Sequence, residues 1–497
     1  MVLASFFRQG EGHSMTLSYT LAFVLGLAPA LQAVFDLPLQ LALQRGVLAA
    51  FLAWIFLSAY RSGIPRALAG RRFVPLWAAA GLSLLSLISS PFRGYVLNEW
   101  GNYAAGLLIF LAGSLMAAGE RDRVERALRW GGWLVFGVAL LQAFALRNFL
   151  SAPPLTNLNA LALYAVMVLP LAAGRRDWLL TVAMAILVIW TQSIGAILAA
   201  VVAAGFYAVS RRDSAGFREN QWILVLLGAV AAAVLFLLQA DSVAGRLAWW
   251  RSAWEMFLAR PFTGFGHASF TWAQAAFQQA GAFREHSVYA HNYYLEFLAE
   301  NGLPAAAAWF FLLFRETRVR EGAARYALIA ALTHSFVDFG LSVPANFWVF
   351  CWLLSSPAEE AGLAVPPRSV LNAALAFSLL LAAALARLDL RSLAFEKERV
   401  KAISAAAAGD LAGAGKALAP ELRGGVFRAP ALELLGSLHA AYGGAPDGFG
   451  AAVYFEMALL ENRYSAASWA ALRRIYSAEG LEGEAAGLEA RRGEVFR

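Results

Sequence analysis

The sequence holds one cysteine, three lysines and six histidines in 497 residues, and only 15% of its residues are charged. A lone cysteine, Cys351, can close no intramolecular disulfide, so a disulfide-built secreted scaffold is excluded. It stands in the apolar run 346–354 and reads as a small buried hydrophobe. The 42 glycines and 17 prolines exclude a collagen-like chain, and 60% hydrophobic residues exclude disorder. The net charge of +7 sits in short arginine clusters between apolar runs, not on one patch interleaved with aromatics, which argues against nucleic-acid binding. No zinc-type spacing occurs, because His286 and His291 are five apart and miss the shared helix face. A phosphate loop of the G-x-x-x-x-G-K-[ST] kind is also missing, so nucleotide hydrolysis is not the expected source of energy.

What the chain has instead is a long series of apolar runs and a mean hydropathy of +0.58. About 20 apolar residues in a helix cross a hydrocarbon core of about 30 Å. About thirteen candidate spans follow, at 17–36, 39–60, 73–90, 103–118, 130–146, 158–173, 177–190, 193–210, 221–240, 303–314, 323–340, 345–356 and 369–386. The pair around Thr191-Gln192-Ser193 is either one long helix or a tight hairpin. The expected fold is an all-α polytopic membrane protein of about 12–13 transmembrane helices with a soluble helical tail.

Arginine placement gives the orientation. With a cytoplasmic N-terminus, nineteen arginines fall in alternate segments, as in the cluster Arg121, Arg123, Arg126 and Arg129, against Arg93 and Arg147 on the other side. Cytoplasmic loops retain arginine in this way. The membrane domain is then 1–386, with a large outer loop at 241–302 and a tail, 387–497, on the outer side as well. A twelve-span count would place that tail in the cytoplasm. No cleavable signal peptide is evident, since the first apolar run leads directly into another. Loop and tail are then expected on the outer side of a cell membrane.

The tail contains all three lysines, Lys397, Lys401 and Lys416. Within it, Ala452, Tyr454, Phe455, Ala458 and Leu459, then Tyr464, Trp469, Leu472, Tyr476 and Gly480, have the helix-turn-helix spacing of a tetratricopeptide-like unit. Such a unit needs stacked neighbours, so 395–445 should supply a degenerate partner and the tail could hold a protein partner.

Loops of the length of 241–302 usually carry function. This one runs Arg246, Trp249, Trp250, Arg251, then Pro261-Phe-Thr-Gly264-Phe-Gly266-His267, then His291-Asn292 and Glu296, Glu300 and Gly302. Indoles anchor at a bilayer interface and guanidinium forks grip lipid phosphates. Arg246 and Trp250 share a helix face, from which Arg251 is offset.

These motifs resemble the bacterial O-antigen ligase and polymerase family over 158–356. The resemblance rests on Arg246 with Trp250, Pro261 with Gly264 and Gly266, His291-Asn292 with Gly302, His334 with Asp338, and Asn157 with Asn159. Leu158 replaces the proline of that last element, and Ala305 stands where a second glycine is common. Ser193-Ile194-Gly195 lacks the arginine usual at its centre, so another arginine has to serve. Arg45, inside the second span, is the candidate, with snorkelling as its bland alternative.

The resemblance implies transfer of a glycan from undecaprenyl diphosphate to an acceptor hydroxyl at the outer face, without cofactor or metal. His291 would be the catalytic base, a role its side-chain chemistry suits. Arg246, Arg251 and Arg45 would bind the diphosphate, and Asn292, Glu296 and Glu300 would support. His267 and His286 match no motif position, and His334 with Asp338 reads as polar glue between helices rather than catalysis. The acceptor is a lipid core, a growing glycan or a protein, and these ligase, polymerase and protein O-oligosaccharyltransferase readings share one scaffold. A non-enzymatic carrier or scaffold is the competing class, disfavoured because few ionisable groups lie within the spans.

Overall fold

The computed structural model describes residues 11–32, 37–61, 63–65, 68, 70–210, 240–278, 287–357, 363–443 and 448–496. The expected span 221–240 lies almost wholly outside them, as do His286, Arg8, Arg66, Arg211, Arg212 and Arg218. The chain is an all-α membrane protein; the only strands among the described residues are a two-residue antiparallel pair, Ile64 opposite Ala364 and Pro65 opposite Leu363.

The other expected spans are helices: α1 (Glu11–Leu31), α2 (Leu37–Arg61), α3 (Val74–Ile88), α4 (Arg93–Leu115), α5 (Ala118–Leu140), α6 (Leu158–Gly174), α7 (Trp178–Trp190) and α8 (Ile194–Ser210). Three helices among the described residues are long and apolar enough, by length and composition, to cross a membrane. These are Ala118–Ala145, in which α5 continues through a π-helical turn, Tyr293–Val319 and Arg368–Ala407, with six shorter apolar helices beside them. At Thr191-Gln192-Ser193 the run breaks: Gln192 takes φ 52, and α8 turns away to pack on α12 rather than on α7.

The loop region opens with α9 (Ala240–Ala259) and the one-turn α10 (Phe270–Ala273). It closes into α11 (Tyr293–Val319), which starts ten residues before the expected span because Asn292 caps it, accepting the N–H groups of Tyr294 and Leu295 at 3.1 and 3.0 Å. The helix bends at Gly302, whose φ of 76 and ψ of 168 lie in a region open essentially to glycine. Helices α12 (Gly322–His334) and α13 (Pro344–Leu354) follow. Every side chain of α13 from Ala345 to Leu354 is buried, Cys351 among them, as befits a helix apolar all round at the centre of a bundle.

The last span is not separate from the tail. Helix α14 (Arg368–Ala407) runs unbroken for 40 residues, so the expected boundary at 387 falls within a helix about 60 Å long. It continues into α15 (Leu411–Leu422), α16 (Arg428–Tyr442), α17 (Gly448–Glu461), α18 (Ala466–Ala478) and α19 (Glu482–Val495), each packed on the one before. Phe395 stacks on Phe427 at 4.8 Å in one cluster of this array, and Phe455, Trp469 and Leu472 form another. The array docks on the loop region: Tyr464 meets Phe265 edge-on at 4.7 Å and Phe277 at 5.9 Å, and Phe496 meets Phe277 at 5.3 Å. Tail and loop therefore occupy the same face of the bundle.

Candidate active site

Arg246, Trp249 and Trp250 lie one turn apart on α9, and their face turns toward His291. The Trp249 indole stacks on the His291 imidazole at 4.9 Å and 22°, while Phe339 meets the same ring edge-on at 4.8 Å. Trp250 Nε1 donates to the His291 carbonyl at 3.2 Å. His291 itself has φ 52, the left-handed region that a non-glycine residue enters at a cost. Its neighbours hold it there. The Ala290 N–H donates to Glu296 at 2.7 Å, Asn292 caps α11, and the Tyr293 N–H donates to the Ser335 carbonyl at 2.9 Å.

The centre of the cluster is Asp338, in the turn beyond the end of α12 and 1% exposed. His291 Nδ1 stands 3.4 Å from its Oδ1, and an Arg246 guanidinium nitrogen 3.3 Å from its Oδ2. Oδ1 also accepts the Phe339 N–H at 2.8 Å. The histidine contact falls short of hydrogen-bond geometry, so the imidazole is adjacent to the carboxylate without being locked to it. Arg246 is 14% exposed, and its buried Nε has no partner. An imidazole, a carboxylate beside it and a guanidinium with a free donor thus share one site.

The supporting residues divide by role. Asn292 is a helix cap. Glu296 accepts the Ala290 N–H and the Ser342 hydroxyl, at 2.7 and 2.6 Å, and so shapes the turn carrying His291. Glu300 accepts the N–H groups of Ala268 and Phe270 at 2.8 and 2.9 Å, fastening the turn that holds Gly264 and Gly266. That turn lies directly on the bend at Gly302: the Gly266 N–H donates to the Glu300 carbonyl at 2.7 Å and the Leu303 N–H to the Pro261 carbonyl at 2.8 Å. Side chains at Gly264 or Gly302 would collide with the opposing backbone.

The other two arginines are elsewhere. Arg251 is exposed on α9, without a contact to Asp338 or His291. Arg45 is held by Asp389 of α14 through Nε and Nη2, at 2.7 and 2.8 Å, with Nη1 left without a partner, so it joins α2 to the last long helix. At the Ser193-Ile194-Gly195 element, Ile194 is buried and Gly195 lies against the His334 ring.

Two residues given no catalytic part by the sequence pattern stand out. Asp338, read as glue for His334, instead contacts His291 and Arg246; the spacing H-x-x-x-D suggested a helical pair, but the helix ends at His334. His267 lines a cavity of about 410 Å3 next to Glu296 and Glu300, with its Nδ1 3.3 Å from Asn301 Nδ2 and its ring 4.9 Å from that of Tyr103. Burial pushes its imidazole from the ordinary 6.5 down to about 4, which keeps it neutral. The PxxGxG motif immediately before it was the available signal.

None of the curated proteins compared with the chain matches it. Residues 179–310, from α7 through the bend of α11 and including Arg246 and His291, match the family model described as O-antigen ligase.

Proposed function

We propose that this protein moves a glycan from undecaprenyl diphosphate onto an acceptor hydroxyl at the outer face of a bacterial inner membrane. The observation that carries the reading is the convergence of His291 and Arg246 on opposite oxygens of Asp338, within the matched segment. His291 takes the acceptor's proton at Nε2 while Nδ1 faces Asp338, a positioning residue that stabilises the imidazolium as it forms. The acceptor oxygen bonds to the sugar's anomeric carbon as the bond to the diphosphate oxygen breaks, and the diphosphate leaves with the electron pair. Arg246, through the donors not used by Asp338, meets the charge gathering on that leaving group, which removes the need for a metal. Arg251, on the same helix, is the further candidate for the diphosphate. Arg45 acts through Asp389, holding the last long helix.

The tail is read as tetratricopeptide-like, and its seating on Phe265 and Phe277 supports a periplasmic position for both tail and loop. The same seating favours a protein acceptor or partner over a lipid-core acceptor or a growing glycan, because helical arrays present peptide-binding surfaces. A carrier or scaffold is the remaining alternative.

The test is transfer by purified protein from an undecaprenyl-diphosphate donor with EDTA present, comparing wild type with His291→Ala. Loss of transfer with donor binding retained is expected. Equal activity removes the histidine base, and an inactive wild type across several donors and acceptors favours the carrier or scaffold.

A further inference from the structure

The cavity of about 410 Å3 beside the His291 cluster is a separate space, lined by neither His291 nor Arg246. Its volume falls within the roughly 300–1,000 Å3 of small-ligand sites. The walls come from five stretches of the chain: α4 supplies Asn102 and Tyr103, the glycine turn His267, α11 with the turn before it Glu300, the run into α13 Phe347, and α14 Glu396. The extended helix that leads into the tail therefore completes it.

Two polar atoms in this wall lack partners. The Tyr103 hydroxyl and Asn102 Oδ1 are buried with no hydrogen bond, although Tyr103 is only 1% exposed and Asn102 7%. A buried unpaired hydroxyl is costly, and both residues belong to the lining of the cavity, whose occupant is the nearest available source of a partner. Around them the lining mixes aromatic rings, among them Trp272 at the half-exposed rim, with the carboxyl groups of Glu99, Glu296, Glu300 and Glu396. No lysine or arginine lines it among the described residues.

This combination matches one chemical class. A pyranose presents C–H faces to aromatic rings and vicinal hydroxyls to carboxyl and amide groups, and each hydroxyl can both donate to Asn102 Oδ1 and accept from Tyr103. A ligand carboxylate would be buried here with no cation to pair it and with carboxyl groups on several sides. We propose that the cavity holds a neutral sugar unit of the substrate glycan and discriminates against uronic and other acidic sugars. The inference rests on the glycan-transfer reading for its substrate, and the cavity reaches the chemistry through its wall. Tyr289 stacks on Phe339, which packs on His291, and Glu296 binds the N–H of the residue preceding His291.

The experiment is calorimetric binding to the purified full-length protein, with a neutral oligosaccharide and its counterpart carrying one uronic acid. The neutral probe is expected to bind at least about tenfold more tightly, and Tyr103→Phe to weaken it about fivefold to tenfold by removing one hydrogen bond. Glu99→Gln should narrow the gap between the probes, and Trp272→Ala, at the exposed rim, should weaken the neutral one without endangering the fold. Equal affinity for the two probes, no saturable binding of either, or wild-type affinity in both Tyr103→Phe and Trp272→Ala overturns the proposal. Binding is read without turnover, so a protein that binds sugar and transfers nothing leaves this inference standing while the transferase reading fails. In a transfer assay the neutral oligosaccharide should compete with the acceptor if the cavity serves the acceptor, and with the donor if it serves the donor; inhibition competitive with neither also overturns it.

Discussion

His291 Nδ1 lies 3.4 Å from Oδ1 of Asp338, a buried carboxylate whose other oxygen faces Arg246 at 3.3 Å. The aspartate joins an imidazole to a guanidinium, the base and the charge-stabilising cation of the proposed reaction, and each half of that joint can be tested separately.

Asp338→Asn keeps the shape of the site and removes its charge. We expect kcat to fall about 10²-fold or more, with donor binding less affected, because the imidazolium loses its counter-charge. Steady-state transfer with separate kcat and KM values is the check; a wild-type kcat would return Asp338 to a purely structural part.

Arg246→Lys retains a positive charge but loses the planar fork that can face Asp338 and a diphosphate together. Transfer should drop about as far as in Arg246→Ala, since one ammonium does not replace two directed pairs of donors. Near-normal transfer in the lysine variant would show that charge alone suffices.

At the bend of α11, Gly302→Ala asks a side chain to occupy φ 76, ψ 168 against the Phe262 carbonyl. A loss of at least roughly 2 kcal/mol is expected, seen as a lower Tm of the detergent-solubilised protein. An unchanged Tm would mean that the turn and the bend are free to separate.

His267 gives a pH signature. Its pKa is about 4 when folded against 6.5 ordinarily, so between those values the unfolded chain binds a proton that the folded chain does not. Stability from this group is complete above pH 6.5 and declines as pH falls to about 4, by at most roughly 3 kcal/mol. Thermal unfolding from pH 7 to 4 should show a shallower decline in His267→Gln than in wild type; identical slopes would contradict a neutral imidazole in this half-buried position.

For Arg45, a double-mutant cycle with Asp389 separates its two roles. If the arginine acts only through the carboxylate, Arg45→Ala, Asp389→Ala and the double variant should be equally stable and equally active within about twofold. Greater loss of donor binding in Arg45→Ala alone would restore its place on the diphosphate.

The sequence by itself determined the elements. Apolar runs and alternating arginines gave twelve of the thirteen expected spans as helices within the described residues, because burying backbone in a membrane leaves helix as the local solution. The cap at Asn292 and the bend at Gly302 are set by one side chain and by the lack of one, yet the apolar run alone starts the span ten residues later, at 303. Other features depended on which residues meet. The sequence offers Arg45 as a phosphate ligand or a snorkelling side chain, and only the packed chain brings it to a carboxylate 344 positions away. Asp338 looked like a helical partner of His334, yet the helix stops between them and the carboxylate turns to His291 and Arg246. The cavity at Tyr103 and His267 is drawn from five distant stretches, the helix of the tail among them. Local periodicity fixes what a segment becomes; a charge finds its partner, and a polar wall its cavity, only when distant segments pack.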